Sequence, residues 1–477
     1  MTRPSNLLIL MSDEHQARAM GCAGHPFVRT PNLDRLAQSG TRFTKAYTPS
    51  PICVPARAAF ATGQHVHKNR LWDNAMPYRG TPTGWGHCLQ EAEVPLQSIG
   101  KLHYRDAKDP SGIDQQHIPM QVAGGVGMVW ASVRREDERK ILKDGRMLGE
   151  EIGPGTSTYT DYDKAVTERT LDWLSARNKD DAPWCLYVGL VAPHFPLVVP
   201  QEFYDLYPTD ELPEVKLHPK DGYKRHPWVD KQNAMLESET KFKDPDERLA
   251  AMAAYYGLCS WMDYNVGKIL GALDAAGLSE NTTVIYTSDH GDNVGARGLW
   301  GKSNFYEESA AVPMIMAGPG VPNGTCDTPV SLLDISATIP RHFGLEFACD
   351  GQSLHDIIAA PLDPERPILS QYHAAGAVSG GFMLRKGRWK LNYYVGFEPE
   401  LFDLEEDPEE LCDLAQDPAH AEQRAQMERA LREILDPETV DAQAFADQDA
   451  MIEGYGGREI AFTMGAPAAT PPPKISS

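Results

Sequence analysis

The chain has 477 residues, 42% of them hydrophobic and 23% charged; that length allows two or three domains with large cores, and the composition excludes collagen-like, disordered and membrane-embedded classes. Lys and Arg number 45 against 67 Asp and Glu, a formal net charge of -22, so the long-range field repels nucleic acid and anionic membranes and leaves only local cationic pockets for anions. No apolar run reaches eighteen residues, which removes a membrane-spanning helix.

Met1 to Asn6 lead straight into the apolar run Leu7–Met11 without the apolar stretch and small-residue cleavage site of a secretory signal, which predicts a cytoplasmic protein. That first run reads as a strand buried on both faces and ends in Ser12-Asp13-Glu14-His15. Thr30 with Pro31 predicts a helix start, closed by Gly40. Cys53 lies just ahead of Pro55 and a run of alanines that Gly63 stops, which places the cysteine at a helix N-terminus. Free backbone N–H groups there favour an anion, whether a thiolate or a bound oxyanion. The other seven cysteines, Cys22, Cys88, Cys185, Cys259, Cys326, Cys349 and Cys412, are scattered without a Cys-x-x-Cys pair and read as reduced, mostly buried thiols.

A second strand, Trp184–Leu190, runs into Pro193-His194-Phe195-Pro196, which sets one histidine between two prolines. A helix follows from about Arg248 to Ala276, with Leu258, Met262, Val266, Ile269 and Leu273 along one face. The strand Thr283–Thr287 then delivers Ser288-Asp289-His290-Gly291. Strands alternating with helices predict an α/β fold with a mainly parallel, doubly wound sheet, whose reactive groups gather at the carboxyl ends of the strands.

Composition shifts near Asp363–Pro367, which divides the chain into an α/β domain over 1–365 and an α+β subdomain over 366–450. The latter holds a hairpin turning near Lys386-Gly387, a short strand at Glu400–Leu404 and an acidic helix from Pro418 to Leu435. Residues 451–477 carry no core pattern and read as either a frayed tail or an arm on a neighbouring subunit, the second implying a homo-oligomer.

Asp13 with Glu14, and Asp289 with His290, are strand-end groups suited to a hard cation, although such pairs also occur in plain surface turns. Cys53-Val54-Pro55-Ala56-Arg57 resembles the Cys-x-Pro-x-Arg signature of the type I sulfatases, in the alkaline phosphatase superfamily. The opening strand with Asp13, Gly100-Lys101-Leu102-His103, Pro193–Pro196, Ser288–Gly291 and Trp300-Gly301-Lys302 are similar to further segments of that family, in the same order along nearly the whole chain. Glu14, where the family usually has Asp, and His290, where it usually has Asn, depart from the common pattern. His290 together with Trp72-Asp73-Asn74-Ala75 is similar to the branch of choline sulfatases and phosphonate monoester hydrolases.

The resemblance implies that Cys53 is oxidised to formylglycine by a formylglycine-generating enzyme. It also implies a divalent cation held by Asp13, Asp289, His290 and residue 53, with Glu14 as a further, longer candidate; oxygen ligands favour Ca²⁺, while an imidazole admits Mn²⁺. Arg57, Lys101 and Lys302 would neutralise the ester's charge, and the aldehyde hydrate would attack sulfur. His194 and Lys302 are the candidates for protonating the leaving alcohol, and His103 for taking the proton that expels sulfate. Asn74 is assigned to substrate contact, with His15, Tyr372 and His373 weaker candidates. The expected activity is hydrolysis of small aryl or alkyl sulfate monoesters. Phosphonate monoester or phosphodiester hydrolysis with the same nucleophile stands beside it, as does a noncatalytic binding protein on the same scaffold.

Overall fold

Asn6–Asp13 forms a strand whose eight residues are all buried, and its alternate side chains enter two different cores. Leu8 and Leu10 meet the core that includes Met262, Val266 and Ile269 of the long helix. Leu7, Ile9 and Met11 meet the opposite one, which includes Ala58, Phe60, Ile335 and Ile339. A period of two along a strand thus explains why the run has no polar break until Ser12: both faces are covered by helices. The computed structural model describes residues 5–143, 145–465 and 469–474.

The central sheet has eight strands, in the spatial order Gly324–Cys326, Gly40–Phe43, Met314–Ala317, Thr282–Ser288, Asn6–Asp13, Cys185–Pro193, Leu96–Lys101 and Gln115–Met120. Met314–Ala317 runs antiparallel to both neighbours, and the remaining pairs are parallel. Ser12 is level with Ser288, and Asp13 with Pro193. The carboxyl ends of the middle strands therefore bring Asp13, Lys101, His194, Asp289 and His290 to one edge of the sheet. Two of these strands approach closely at that edge: a Cβ on Gly189 would lie 2.1 Å from the Lys101 carbonyl, and one on Gly100, at φ +98°, would lie 2.2 Å from the Gly189 carbonyl.

The predicted helices are present with small shifts. Pro31–Gln38 begins after Thr30, but the Thr30 hydroxyl donates to Asp34 Oδ1 (3.1 Å) and accepts from the Gly21 N–H (2.9 Å), without capping the helix backbone. Gly40 does not end that helix: Ser39 does, while Gly40 opens a strand where a Cβ would lie 2.2 Å from the Met316 carbonyl. The long helix covers Pro245–Ala275, capped by Asp244, whose carboxylate accepts from the Glu247 N–H at 2.8 Å. Among the described residues, no helix is long and apolar enough to cross a membrane.

A second, antiparallel sheet follows in the order Ile368–Tyr372, Gly381–Lys386, Trp389–Tyr394, Glu400–Asp403. The helix Ala421–Ile434 covers it through Met427 and Leu431, packed with Leu369, Leu384, Leu391 and Leu401. The helix Pro437–Gly454 then packs with Ala444 against Trp72 and Leu333.

The final stretch takes a course that the sequence left open between a free tail and an arm on another subunit. Its described residues pack on their own chain, with Ile452 and Ala461 in an apolar core beside Ala75, Val129 and Val133, and Thr470 at the cleft. Tyr159 Oη donates to the Thr470 carbonyl at 2.7 Å, and the Thr470 hydroxyl lies 2.8 Å from His103 Nε2. Residues 466–468 and 475–477 lie outside the described residues.

Candidate functional site

The helix Cys53–Thr62 starts at Cys53, holds Pro55 in its first turn and ends at Gly63 in the left-handed region (φ 65°). All ten of its residues are buried, which its run of small alanines permits at close range to the sheet edge. Asn74 Oδ1 accepts from the Val54 N–H at 3.3 Å, so this side chain satisfies one of the free donors of the helix start.

Cys53 Sγ lies 3.1 Å from His290 Nε2 and 3.6 Å from Asp13 Oδ1. Burial, with Asp13 adding to it, pushes the thiol up to about 12. The helix N-terminus alone does not make a thiolate here.

Two cations hold the outer oxygens of the two aspartates. Lys101 Nζ sits 2.5 Å from Asp13 Oδ2, and Arg57 Nε 2.8 Å from Asp289 Oδ2, while Arg57 Nη2 reaches Asp13 Oδ2 at 3.4 Å. The inner Oδ1 atoms each lie 3.7 Å from His290 Nε2. Burial raises the Asp13 carboxyl, but Lys101, Arg57 and Lys302 outweigh it and hold it well below the usual carboxylate range. Arg57 also donates to the Lys101 carbonyl and to Tyr187 Oη, both at 2.9 Å. It is thus an anchor for the aspartates, with its donors turned to protein groups.

The ligand atoms of Asp13, Cys53, Asp289 and His290 all lie within 4.8 Å of one another. A cation with bonds of about 2.0–2.6 Å reaches groups spaced in this way. His290 Nδ1–H donates to the Gly291 carbonyl at 3.1 Å, which turns the Nε2 lone pair towards the cluster, the tautomer that metal binding needs. The donor set therefore fits a divalent ion.

Glu14 stands to one side, grouped with Asp13 and His194. Its backbone takes a left-handed φ of 69°. Lys302 Nζ holds Oε2 at 2.9 Å, and His194 Nε2 is 3.4 Å from the same oxygen. Oε1 is buried with no hydrogen-bond partner. Burial raises this carboxyl, against the opposing charge of Lys302.

His103 and His194 are both buried, and burial followed by a neighbouring lysine keeps each imidazole well below its usual range, hence neutral. His194 Nδ1–H donates to the Phe195 carbonyl at 2.5 Å. Asp163, from the helix Thr158–Ser175, holds the strand beneath this histidine by accepting from the N–H groups of Val191 (2.7 Å) and Ala192 (2.8 Å).

A cavity of about 20 Å³ is lined by Cys53, Asn74, Lys101, His103, His194 and Lys302, with Thr470 at its wall. Thr470 is the residue that sequence reasoning missed, because it sits in a segment with no periodic pattern. Three weaker candidates lie elsewhere. His15 is locked in the core between Tyr286 Oη (2.7 Å) and the Ala19 carbonyl (2.9 Å), Tyr372 Oη donates to the Ala375 carbonyl (2.7 Å), and His373 packs against Trp72 and Phe382. Core packing takes each of them out of this cavity.

A sulfatase family model matches residues 5–345, and a model of the C-terminal region of N-sulphoglucosamine sulphohydrolase matches residues 295–436. Choline-sulfatase of Rhizobium meliloti is 33% identical over 435 residues, spanning 87% of this chain and 83% of its own. An arylsulfatase of Clostridium perfringens is 26% identical over 490 residues, spanning 94% and 98%. Among solved structures, the phosphonate monoester hydrolase of Agrobacterium radiobacter superposes with a TM-score of 0.74 at 22% identity, over 92% of this chain and 96% of that one.

Proposed function

Since the chain belongs to the sulfatase family of sulfuric ester hydrolases, we propose that it hydrolyses small aryl or alkyl sulfate monoesters at residue 53. The convergence of Cys53, two aspartates and an inward-turned imidazole at one helix start carries this reading. In this family residue 53 would supply an aldehyde hydrate as nucleophile, and a divalent cation held by Asp13, Asp289, His290 and residue 53 would offset the ester's charge. The mixed oxygen and nitrogen donors suit Ca²⁺ or Mn²⁺.

The roles of the chain's own groups follow from where their protons are. Lys101 and Arg57 fix the orientation of Asp13 and Asp289. Burial opposes the charge on Lys302, but the neighbouring carboxyl groups of Glu14 and Asp13 outweigh it, and Lys302 so carries a proton at Nζ for the oxygen of the leaving alcohol. His194, neutral and with its Nδ1–H committed to Phe195, offers a lone pair at Nε2. It therefore orients, while Lys302 donates. His103, also neutral, has a free valence for the proton released when sulfate departs, and the Thr470 hydroxyl beside Nε2 orients it.

Mass spectrometry of the tryptic peptide containing residue 53 tests the nucleophile, with formylglycine expected and a fully unmodified thiol in active protein against it. Matched 4-nitrophenyl sulfate, phenylphosphonate and phosphodiester substrates test the reaction. Sulfate is expected to give the highest kcat/KM, and a dominant phosphonate or diester activity would reverse the assignment.

A further inference from the structure

A second cavity of about 50 Å³ adjoins the first and shares Asn74, Met128 and Lys302 with it. Its walls are mainly Ile52, Met128, Met147, Phe195, Met235 and Leu236. From this juxtaposition we infer that the alcohol portion of the substrate sits here, and that it is small, apolar and uncharged. The inference rests on the sulfatase reading and sharpens it by naming the leaving group's chemistry.

Three observations carry it. Lys302, the group assigned to the leaving oxygen, lies at the junction, so the carbon attached to that oxygen is directed into the second cavity. Apart from Lys302, the polar lining is neutral: Asn74, Gln232, Asn233 and Ser303, with no carboxylate among the described residues that form the wall.

The charge around the wall is also unsuited to a cation. Lys302 Nζ lies 4.9 Å from the centre of the Phe195 ring, so the cation–π position on that face is already occupied. Behind the wall, Arg139 Nη1 donates to the carbonyls of Lys231 (2.7 Å) and Gly376 (2.8 Å), next to the lining residues Gln232 and Ala375. Trp300 turns its indole N–H away to Glu239 Oε2 at 2.7 Å, and that carboxylate is paired with Arg248 at 2.9 Å. A quaternary ammonium would meet Lys302 and Arg139 here, and the nearest carboxylate, Glu14 behind Gly301, is already paired with Lys302 at 2.9 Å.

The surface argues against a sugar: the six apolar side chains of the wall would leave the hydroxyls that face them unpartnered. Three methionines let the wall adapt to short alkyl chains or a single aryl ring. This separates the chain from the choline-sulfatase to which it is 33% identical.

Choline sulfate and 3,3-dimethylbutyl sulfate test the inference, because they match in shape and differ in the charge of one atom. Calorimetric binding to the Cys53→Ala protein, which cannot turn either over, is expected to favour the neutral ester at least tenfold in Kd, and kcat/KM of the active enzyme is expected to show the same preference. Equal or tighter binding of choline sulfate overturns it. Gln232→Glu, with Asn233→Asp as a second variant, places a carboxylate in the wall and should shrink the preference at least threefold. A folded variant with an unchanged ratio shows that the alcohol lies elsewhere and also overturns it. The same two alcohols as methylphosphonate monoesters keep the questions apart: phosphonate preferred over sulfate counts against the reaction, whereas the neutral-to-cationic ratio on either ester judges the cavity.

Discussion

A cluster of buried charge at the carboxyl edge of the large sheet contrasts with another where the small sheet joins it. In the second, Lys390 on the strand Trp389–Tyr394 lies 2.8 Å from both Glu307 and Glu410. Arg297 adds a contact of 3.2 Å to Glu308, another of 2.8 Å to the Glu410 carbonyl, and a stack 3.8 Å over the Tyr306 ring. Its charges face one another across the junction and fasten the two sheets. In the first cluster Lys101 and Arg57 take only the outer oxygens of Asp13 and Asp289, and the inner ones turn with Cys53 and His290 towards a common point. Burial of charge is therefore common to a clamp and to a reactive centre. What separates them is donor capacity left over for a ligand.

That contrast is most open to attack at the nucleophile. Cys53→Ala is expected to lower kcat/KM by at least about 10³-fold while the melting temperature changes little, since the first position of the helix accepts the smaller side chain. Retained turnover in a sulfate ester assay would move the nucleophile elsewhere. At the clamp, Lys390→Met leaves Glu307 and Glu410 facing each other without their shared cation. A loss of about 3–5 kcal/mol in denaturant unfolding is expected, with kcat nearly unchanged in the folded fraction; unaltered stability with reduced kcat would erase the distinction between the clusters.

Lys302→Ala sharpens the comparison within the reactive centre. Turnover should fall by about 10²-fold for alkyl sulfates and far less for 4-nitrophenyl sulfate, because a good leaving group needs little protonation. A uniform loss across a leaving-group series would assign Lys302 to binding the sulfate group instead. The smallest effect is expected from Thr470→Val, which removes the hydroxyl beside His103. A fall in kcat of about three- to tenfold, with KM little changed, is expected from steady-state kinetics on several sulfates. A rise in KM alone would make Thr470 a substrate contact.

Much of the site was readable in the sequence because its parts are local. Asp13, His194, Asp289 and His290 each follow an apolar run, and parallel pairing brings the ends of such runs together. Cys53, Pro55 and Gly63 mark both ends of their helix without reference to anything distant. Features that depend on long-range packing were hidden. Arg57 reads as a cation for the substrate, yet its donors are spent on Asp13, Asp289, the Lys101 carbonyl and Tyr187. Asn74 reads as a substrate contact; it lines both cavities, and its further bond to the N–H of Val54 was not legible. The methionine cavity gathers residues from eight separate stretches, and no periodicity announces it.

The hydroxyl beside His103 is contributed from position 470, more than 360 residues downstream. A frameshift after Ala469 would thus spare the apolar cores and every acidic ligand, and still deliver a folded protein with an untended base. Genetic variants of this kind should be found among slow alleles and not among insoluble ones, and expression level would be a poor guide to them.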